Sequence, residues 1–254
     1  LDDWGGAWRI NFRREHFPYE RPPLVFDPSS GRLCIINGFT HWAFARRHSK
    51  MVREKGGIIM CNANREEALL FCAPFIDVQL KERSAAKWDR ERLSVERMLA
   101  GAKPICFIGG KQPRAGRALE SVIRKLLLFG VSPGSTGRDE QRGLMKKYMP
   151  VLSRVARTGW EPVTYAQSEN TAVERFGNMP GPICFTVHNA GKKPVKDSIT
   201  VDSAALGLPR DAAGLKAEEL VENRAVILKE LNGELEAQIR VEPGETLALV
   251  FSKK

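Results

Sequence analysis

The sequence has no long apolar run. Hydrophobic residues make up 43% of its 254 positions, yet the longest apolar candidate, Ala68 to Val78, is interrupted by Pro74. That segment is far shorter than the roughly 20 apolar residues that a membrane-crossing helix needs. We therefore expect no integral membrane segment. Charged residues make up 28%, a share typical of a folded protein that buries a substantial core.

Cysteines are few and do not form close pairs. The five are Cys34, Cys61, Cys72, Cys106 and Cys184, and no C-x-x-C motif occurs. An odd number at irregular spacing argues against a disulfide framework and against a zinc site. The four histidines also lack the spacing of metal ligands. We expect buried thiols, no metal and no cofactor, and the cysteines argue against an oxidising compartment without fixing the localisation.

Acidic residues are scarce in the first part of the chain. Residues 1–170 carry 29 basic and 18 acidic side chains, a net charge of +11, whereas residues 171–254 have a net charge of −1. This contrast predicts two domains with a boundary near residue 170. The cations alternate with Glu and Asp along helical stretches, and no basic run interleaved with aromatic residues occurs. Solvated helix surfaces explain this pattern better than nucleic-acid binding does.

The first part alternates apolar runs with amphipathic stretches. Residues 57–62, 75–80 and 104–109 are typical of buried parallel strands, and 126–131 is a fourth candidate. Helix-like segments cover residues 42–54, 89–100, 118–129 and 141–157. This rhythm predicts an α/β fold, either a doubly wound sheet or part of a (β/α)8 TIM barrel.

The second part is rich in short strands. They are predicted at residues 173–176, 183–188, 198–202, 225–229, 235–241 and 246–251. Turn-forming residues separate them, including Asn232-Gly233, which favours a tight hairpin. We expect a small antiparallel β-sandwich over residues 171–254.

Polar side chains end the predicted parallel strands. Asn62 and Asn64 follow the first strand, and Asp77, Gln79 and Glu82 end the second. Active sites of both candidate folds lie at such strand ends. Carboxylates together with amides are the groups that glycoside hydrolysis needs, one to act on the anomeric carbon, one to deliver a proton and amides to bind hydroxyls.

Each of the candidate carboxylates also has a purely structural explanation. Asp2 lies where a further strand would end, but a chain start is often merely frayed and solvated. Asp77 alternates with apolar neighbours, which also suits a structural acid, and Glu82 belongs to a charge run. Trp4 and Trp42 offer flat surfaces on which sugar rings rest.

Several short blocks resemble bacterial glycoside-hydrolase-like proteins. They are Leu1-Asp2-Asp3-Trp4-Gly5-Gly6, Asn11-Phe12-Arg13-Arg14-Glu15-His16-Phe17, Asn62-Ala63-Asn64, Asp77-Val78-Gln79-Leu80-Lys81-Glu82, Gly159-Trp160-Glu161-Pro162-Val163-Thr164-Tyr165-Ala166, Val173-Glu174-Arg175-Phe176-Gly177 and Phe185-Thr186-Val187-His188-Asn189. The resemblance implies a catalytic (β/α)8 barrel followed by a β-sandwich, similar to the clan that includes the alpha-galactosidases.

That resemblance implies roles for particular residues. In the clan an Asp after strand four is the nucleophile and a carboxylate after strand six is the acid/base. Asp2 is then the nucleophile, Glu82 the acid/base and Asp77 the reserve for the second role. Asn62 and Asn64 would bind substrate hydroxyls.

Strands one to three of such a barrel have no counterpart in the sequence. The start Leu1-Asp2-Asp3-Trp4, without Met, is typical of a processed or truncated protein. The missing strands are expected from sequence outside the chain or from a partner, unless the fold closes differently. The leading hypothesis is a retaining glycoside hydrolase, or the C-terminal part of one, acting on a carbohydrate substrate. The alternatives are a non-catalytic carbohydrate-binding or assembly protein and a nucleic-acid binder.

Overall fold

The computed structural model describes residues 10–62, 71–82, 84–108, 116–134, 139–209, 211–231 and 233–253. These residues form a mixed α/β protein with several sheets, which confirms the α/β prediction at that level. The chain divides into two compact units, Leu1–Glu82 and Arg83–Lys254. The predicted boundary near residue 170 falls inside the second unit. No helix in the described ranges is long and apolar enough to cross a bilayer.

The first unit begins with a small antiparallel sheet. Its strands are β1 (Ile10–Asn11), β2 (Val25–Phe26) and β3 (Leu33–Ile36), in the order β1-β3-β2. The turn between β2 and β3 is held by Asp27, which accepts a hydrogen bond from the Ser29 hydroxyl at 2.7 Å and from the Ser30 amide at 3.0 Å. Hydrogen bonds from Ser30 and Ser29 lower the pKa of Asp27. Helix α1 (Asn37–Arg53) follows β3 directly.

A parallel pair of strands follows α1. Strands β4 (Met60–Asn62) and β5 (Val78–Lys81) run side by side, as the sequence predicts, but both begin three residues later than expected. Helix α1 ends at Arg53, and Gly56, with a φ of +71°, turns the chain before β4 begins. Pro74 lies in a short 3-10 turn, Ala73–Phe75, which delays the start of β5. The strands are therefore short.

The second unit starts with an α/β layer. It contains α2 (Arg90–Ala100), β6 (Ile105–Phe107), α3 (Gly116–Leu128) and α4 (Asp139–Thr158). These three helices match the predicted segments within two residues at each end. Asp89 caps α2, since its Oδ1 accepts a hydrogen bond from the Arg92 amide at 2.8 Å.

Two antiparallel sheets complete the second unit. Their strands are β7 (Trp160–Glu161), β8 (Ala166–Gln167), β9 (Ala172–Phe176), β10 (Ile183–His188), β11 (Val195–Val201), β12 (Leu215–Glu219), β13 (Arg224–Ala225), β14 (Leu228–Leu231), β15 (Glu234–Val241) and β16 (Thr246–Lys253). One sheet has the order β13-β12-β16-β10-β9-β7 and the other β14-β15-β11-β8.

Inward-facing side chains of both antiparallel sheets form one hydrophobic cluster. Phe185 of β10 and Phe251 of β16 meet edge to face at 5.3 Å, and Ile199 and Leu235 of the other sheet belong to the same cluster. Residues of β10 and β16 that alternate with this set face the other side of the six-stranded sheet, and that side is buried as well. Helices α3 and α4 pack on the other face of the six-stranded sheet through a second cluster that includes Tyr148 and Cys184. The helical layer and this sheet thus share buried surface across residue 170.

Candidate functional site

Asn62 and Glu82 meet at the ends of two adjacent strands. The Nδ2 of Asn62 donates a hydrogen bond to Oε2 of Glu82 at 3.0 Å. Asn62 is the last residue of β4, and Glu82 comes directly after β5. Asn62 is buried, whereas Glu82 is exposed. A carboxylate open to solvent is thus held by an amide fixed inside the protein.

The strand register explains this contact. Cys61 lies opposite Gln79 and Asn62 opposite Leu80, with both strands running the same way. Parallel strands bring their carboxyl ends to one edge of the sheet, so the residues that follow them become neighbours. The predicted juxtaposition of Asn62 with Glu82 follows from that pairing.

The buried amide of Asn62 has an unused hydrogen-bond acceptor. Its Oδ1 has no hydrogen-bond partner among the described residues, and the side chain is only 3% exposed. A buried amide oxygen without a donor costs free energy, typically about 1–3 kcal/mol. A hydroxyl group placed beside Oδ1 would relieve this cost.

Asp77 lies at the opposite end of the strand. It precedes β5, so its expected position at the carboxyl end is wrong. Its Oδ1 accepts a hydrogen bond from Nη2 of Arg53 at 2.7 Å, and its Oδ2 accepts one from the Ile59 amide at 2.8 Å. Its own amide donates to the Ile59 carbonyl at 2.8 Å. These contacts join the starts of β4 and β5, which is a structural role.

Two further polar side chains of β5 are buried. Gln79 is fully buried, and neither its Nε2 nor its Oε1 has a partner among the described residues. Lys81 is only 1% exposed, which is rare for a lysine. Period-two alternation places Gln79 and Lys81 on the same face of the strand. In the sequence Lys81 adjoins the charged residues Glu82 and Arg83, which favours a solvated lysine rather than this buried one.

Trp42 lies on α1 and makes contacts of its own. Its ring centroid is 6.3 Å from that of Phe75 in an edge-on arrangement, and the Arg46 guanidinium lies 5.4 Å from the ring centroid. It also lines a cavity of about 450 Å³ together with Tyr19 and Phe44. Neither Asn62 nor Glu82 lines this cavity. The structure therefore does not bring Trp42 together with the strand-end pair.

Three further site candidates come from the sequence. Asp2, Trp4 and Asn64 lie outside the described residues. Within the described ranges, no group of three or more His, Cys, Asp and Glu side chains is arranged to hold a metal ion.

Comparison with known proteins identifies the fold. No family model matches the chain, and no curated protein matches it either. Solved structures do match. A GH27 β-L-arabinopyranosidase from Geobacillus stearothermophilus superposes with a TM-score of 0.53 at 13% identity, covering 90% of this chain and 56% of that enzyme.

Two further structures agree with this match. Alpha-galactosidase I from Mortierella vinacea gives a TM-score of 0.51 at 10% identity over 83% of this chain and 62% of that one. A variant of the Geobacillus enzyme in complex with arabinose gives 0.50 at 13% identity, covering 90% and 56%. The chain thus has a glycoside-hydrolase-like fold, and it spans less than two thirds of the length of the enzymes it matches.

Proposed function

We propose that the chain forms part of a retaining glycoside hydrolase that uses two carboxylates. Residues 1–170 would supply the C-terminal part of a (β/α)8 barrel and residues 171–254 a β-sandwich. The glycoside-hydrolase-like fold supports this proposal. The main observation in its favour is the hydrogen bond between Asn62 and Glu82, because it joins a carboxylate to an amide at strand ends, where barrel enzymes act.

In this proposal Glu82 is the acid/base. Its protonated carboxyl gives a proton to the glycosidic oxygen as the bond to the anomeric carbon breaks. The carboxylate of Asp2 forms a bond to that carbon and gives a glycosyl ester. Glu82 then takes a proton from water, the water oxygen attacks the anomeric carbon, and Asp2 leaves as carboxylate. The sugar is released with its original anomeric configuration.

Amide groups would position the sugar. The Nδ2 of Asn62 orients Glu82, while its Oδ1 accepts a hydrogen bond from a sugar hydroxyl. Asn64, two residues after Asn62, and Trp4, two residues after Asp2, are proposed to bind a second hydroxyl and the face of the ring. We leave Trp42 out of this site because its described contacts lie elsewhere on α1.

Glu82 suits the acid/base role better than the reserve candidate Asp77 does. Glu82 is exposed, so a substrate can reach its carboxyl group. Both carboxylate oxygens of Asp77 already accept hydrogen bonds from protein groups at the far end of the strand. A proton donor has to contact the leaving oxygen, which requires an accessible carboxyl group.

The experiment is hydrolysis by the natural polypeptide that contains residues 1–254. The neighbours' names make nitrophenyl α-galactopyranoside and β-L-arabinopyranoside the first substrates. We expect hydrolysis with retention, seen by NMR of the first-formed sugar, and its loss in Glu82→Gln. Glu54→Gln is the matched control, since Glu54 is also exposed in the first unit, at the end of α1.

Two outcomes would overturn the enzyme proposal. Hydrolysis unchanged in Glu82→Gln removes the acid/base role. Saccharide binding by calorimetry without any turnover supports the non-catalytic carbohydrate-binding alternative on the same scaffold.

A further inference from the structure

The cavity of about 450 Å³ beside Trp42, here called the α1 cavity, lies between residues 19–22 and the first half of α1. The Thr40 hydroxyl donates a hydrogen bond to Oε2 of Glu20 at 2.9 Å and so joins its two walls. Pro22 stiffens the wall opposite α1, because its ring fixes the backbone φ. A cavity of this volume accommodates a small organic ligand.

Aromatic side chains line the α1 cavity. Tyr19 is 86% exposed and Phe44 is 49% exposed, although large rings are usually well buried. Phe44 stacks on His48 with ring centroids 5.2 Å apart, and the edge-on contact with Phe75 holds the half-buried ring of Trp42. Rings held in this way offer flat apolar surfaces on which the C–H groups of a sugar ring pack.

The α1 cavity is also strongly cationic. Four basic side chains line it against the single carboxylate of Glu20, and they are Arg21, Arg46, Arg47 and Lys50. No carboxylate of the described residues forms an ion pair with any of the three arginines, and Lys50 has only a long, exposed one with Glu54 at 3.9 Å. Guanidinium groups bind carboxylates through two parallel hydrogen bonds, so this lining suits an anionic ligand.

The spacing of residues along α1 brings rings and cations together. Trp42, Arg46 and Lys50 are four residues apart, and Arg47 follows Phe44 by three, so these side chains form neighbouring rows on one side of the helix. The Arg46 guanidinium accordingly lies 5.4 Å from the centroid of the Trp42 ring. Like charges at these spacings repel each other, and a bound anion would relieve that repulsion.

We propose that the α1 cavity binds an acidic saccharide, with sugar rings against Tyr19 and Phe44 and a carboxylate group on Arg21 and Arg47. The choice of a sugar rests on the proposed glycosidase function, whereas the acidic group follows from the charge of the cavity. The strand-end pair does not line this cavity. The α1 cavity is therefore a second saccharide site, which holds a sugar chain without acting on it.

A nucleic acid suits the α1 cavity less well. The carboxylate of Glu20 lies among the cations, where it repels phosphate groups but accepts hydrogen bonds from sugar hydroxyls. Single-stranded nucleic acids also bind in basic grooves that follow the backbone over several nucleotides. A cavity of about 450 Å³ holds a much shorter ligand than that.

The test compares two trisaccharides that differ only at C6 of each ring. Trigalacturonate carries a carboxylate there, whereas galactotriose with the same α-1,4 linkages carries a hydroxymethyl group. Calorimetry measures the binding of each to the natural polypeptide that contains residues 1–254, at low and at high salt. The Glu82→Gln protein is expected to bind equally well, so failure of the catalytic proposal is distinguishable from failure of this one.

Two substitutions in the α1 cavity have matched controls. Arg47→Gln is compared with Arg157→Gln, an exposed arginine of α4, because each removes one unit of the overall charge of +10 that attracts any anion. Phe44→Ala is compared with Phe26→Ala, which lies in β2 outside the cavity and is 70% exposed. Thermal unfolding of each variant shows that it is folded.

Trigalacturonate is expected to bind about 10-fold or more tightly than galactotriose, because only its carboxylates make charge-assisted hydrogen bonds. Arg47→Gln and Phe44→Ala each weaken its binding about 5-fold or more, whereas both controls stay within about 2-fold of the unsubstituted protein. High salt weakens the binding of trigalacturonate and leaves that of galactotriose unchanged, since exposed charges are screened.

Three results would overturn the inference. Equal affinity for the two trisaccharides, or no binding of either, removes the acidic saccharide as the ligand. Binding of trigalacturonate that responds equally to Arg47→Gln and Arg157→Gln shows attraction by overall charge and no site at α1. Tighter binding of oligothymidine than of trigalacturonate, lost in Phe44→Ala, assigns the cavity to a nucleic acid.

Discussion

The Nδ2 of Asn62 donates a hydrogen bond to Oε2 of Glu82 at 3.0 Å, linking the end of one parallel strand to the residue after the next. Asn62 is buried and Glu82 is exposed, so a buried amide holds a carboxylate at the surface. In the proposed enzyme this bond would position the acid, and a misplacement of about 1 Å in a catalytic group can lower the rate by about 10²-fold.

Asn62→Ala tests this relationship. The substitution removes the hydrogen bond to Glu82 and an acceptor for a sugar hydroxyl, so we expect kcat/KM to fall about 10-fold or more. Asn170→Ala, an exposed asparagine of the second unit, is expected to leave kcat/KM unchanged. Steady-state kinetics of the natural polypeptide measure both. Equal kinetics for Asn62→Ala and the unsubstituted protein would show that the hydrogen bond has no catalytic role.

The substitution Asp77→Asn tests whether Asp77 has a structural role or a catalytic one. The amide nitrogen of Asn is a donor, so it cannot replace both acceptor oxygens that meet Arg53 at 2.7 Å and the Ile59 amide at 2.8 Å. We expect the free energy of unfolding to fall by about 1–2 kcal/mol in urea titration, with kcat per folded molecule unchanged. Loss of activity at full stability would instead assign the acid role to Asp77.

Much of the fold was predictable because the local signals agree with the tertiary structure. The longer antiparallel strands of the second unit lie close to their predicted bounds, and helices α2, α3 and α4 end within two residues of Gly101, Gly130 and Gly159. Helix α1 begins at Asn37, five residues earlier than expected, since Phe39 and Thr40 do not show the apolar period that marks a buried face.

The site was only partly predictable. The contact between Asn62 and Glu82 could be predicted because parallel strands bring their carboxyl ends to one edge of the sheet, and their catalytic roles remain a prediction. The position of Asp77 was mistaken because Phe75 and Ile76 look like strand residues, whereas Pro74 and the hydrogen bonds of Asp77 start the strand later. Burial of Lys81 was missed because it depends on tertiary packing and not on sequence neighbours.

Tyr148→Phe tests a polar network in the second unit. The Tyr148 hydroxyl donates to Oε1 of Glu120 at 2.7 Å and accepts from Nε of Arg124 at 2.9 Å. Burial raises the pKa of Tyr148 to about 12, so the hydroxyl keeps its proton throughout the physiological range. We expect a loss of about 1 kcal/mol at pH 7. Tyr19→Phe is the control, because Tyr19 is exposed.

The network of Tyr148, Glu120 and Arg124 makes the free energy of unfolding depend on pH. Hydrogen bonding to Tyr148 and the nearby Arg124 lower the pKa of Glu120 below its ordinary value. A carboxyl group whose pKa is lowered by folding stabilises the protein above its unfolded pKa, and this stability is lost as the pH falls through the folded pKa. The cost of Tyr148→Phe is therefore expected to shrink between pH 5 and about pH 3. A cost independent of pH in urea titrations would contradict this coupling.

Gly177→Ala tests a close backbone approach. Gly177 has a φ of +84°, and a Cβ there would lie 2.3 Å from the carbonyl oxygen of Pro182. Gly233 has a φ of +82° with no atom within 4 Å of such a Cβ. Both substitutions strain the backbone, by about 1 kcal/mol, but only Gly177→Ala adds a clash, so we expect it to cost at least about 2 kcal/mol more in denaturant unfolding. Equal costs would mean that the Pro182 carbonyl moves freely.

The most direct test of the central claim is the leaving-group dependence of hydrolysis by Glu82→Gln in the natural polypeptide. An acid is needed most when the leaving alcohol is a poor leaving group. We therefore expect kcat/KM to fall by about 10²–10⁴ for an alkyl galactoside and much less for a nitrophenyl galactoside. An equal loss on both substrates, or no loss on either, would contradict the assignment of Glu82 as the proton donor.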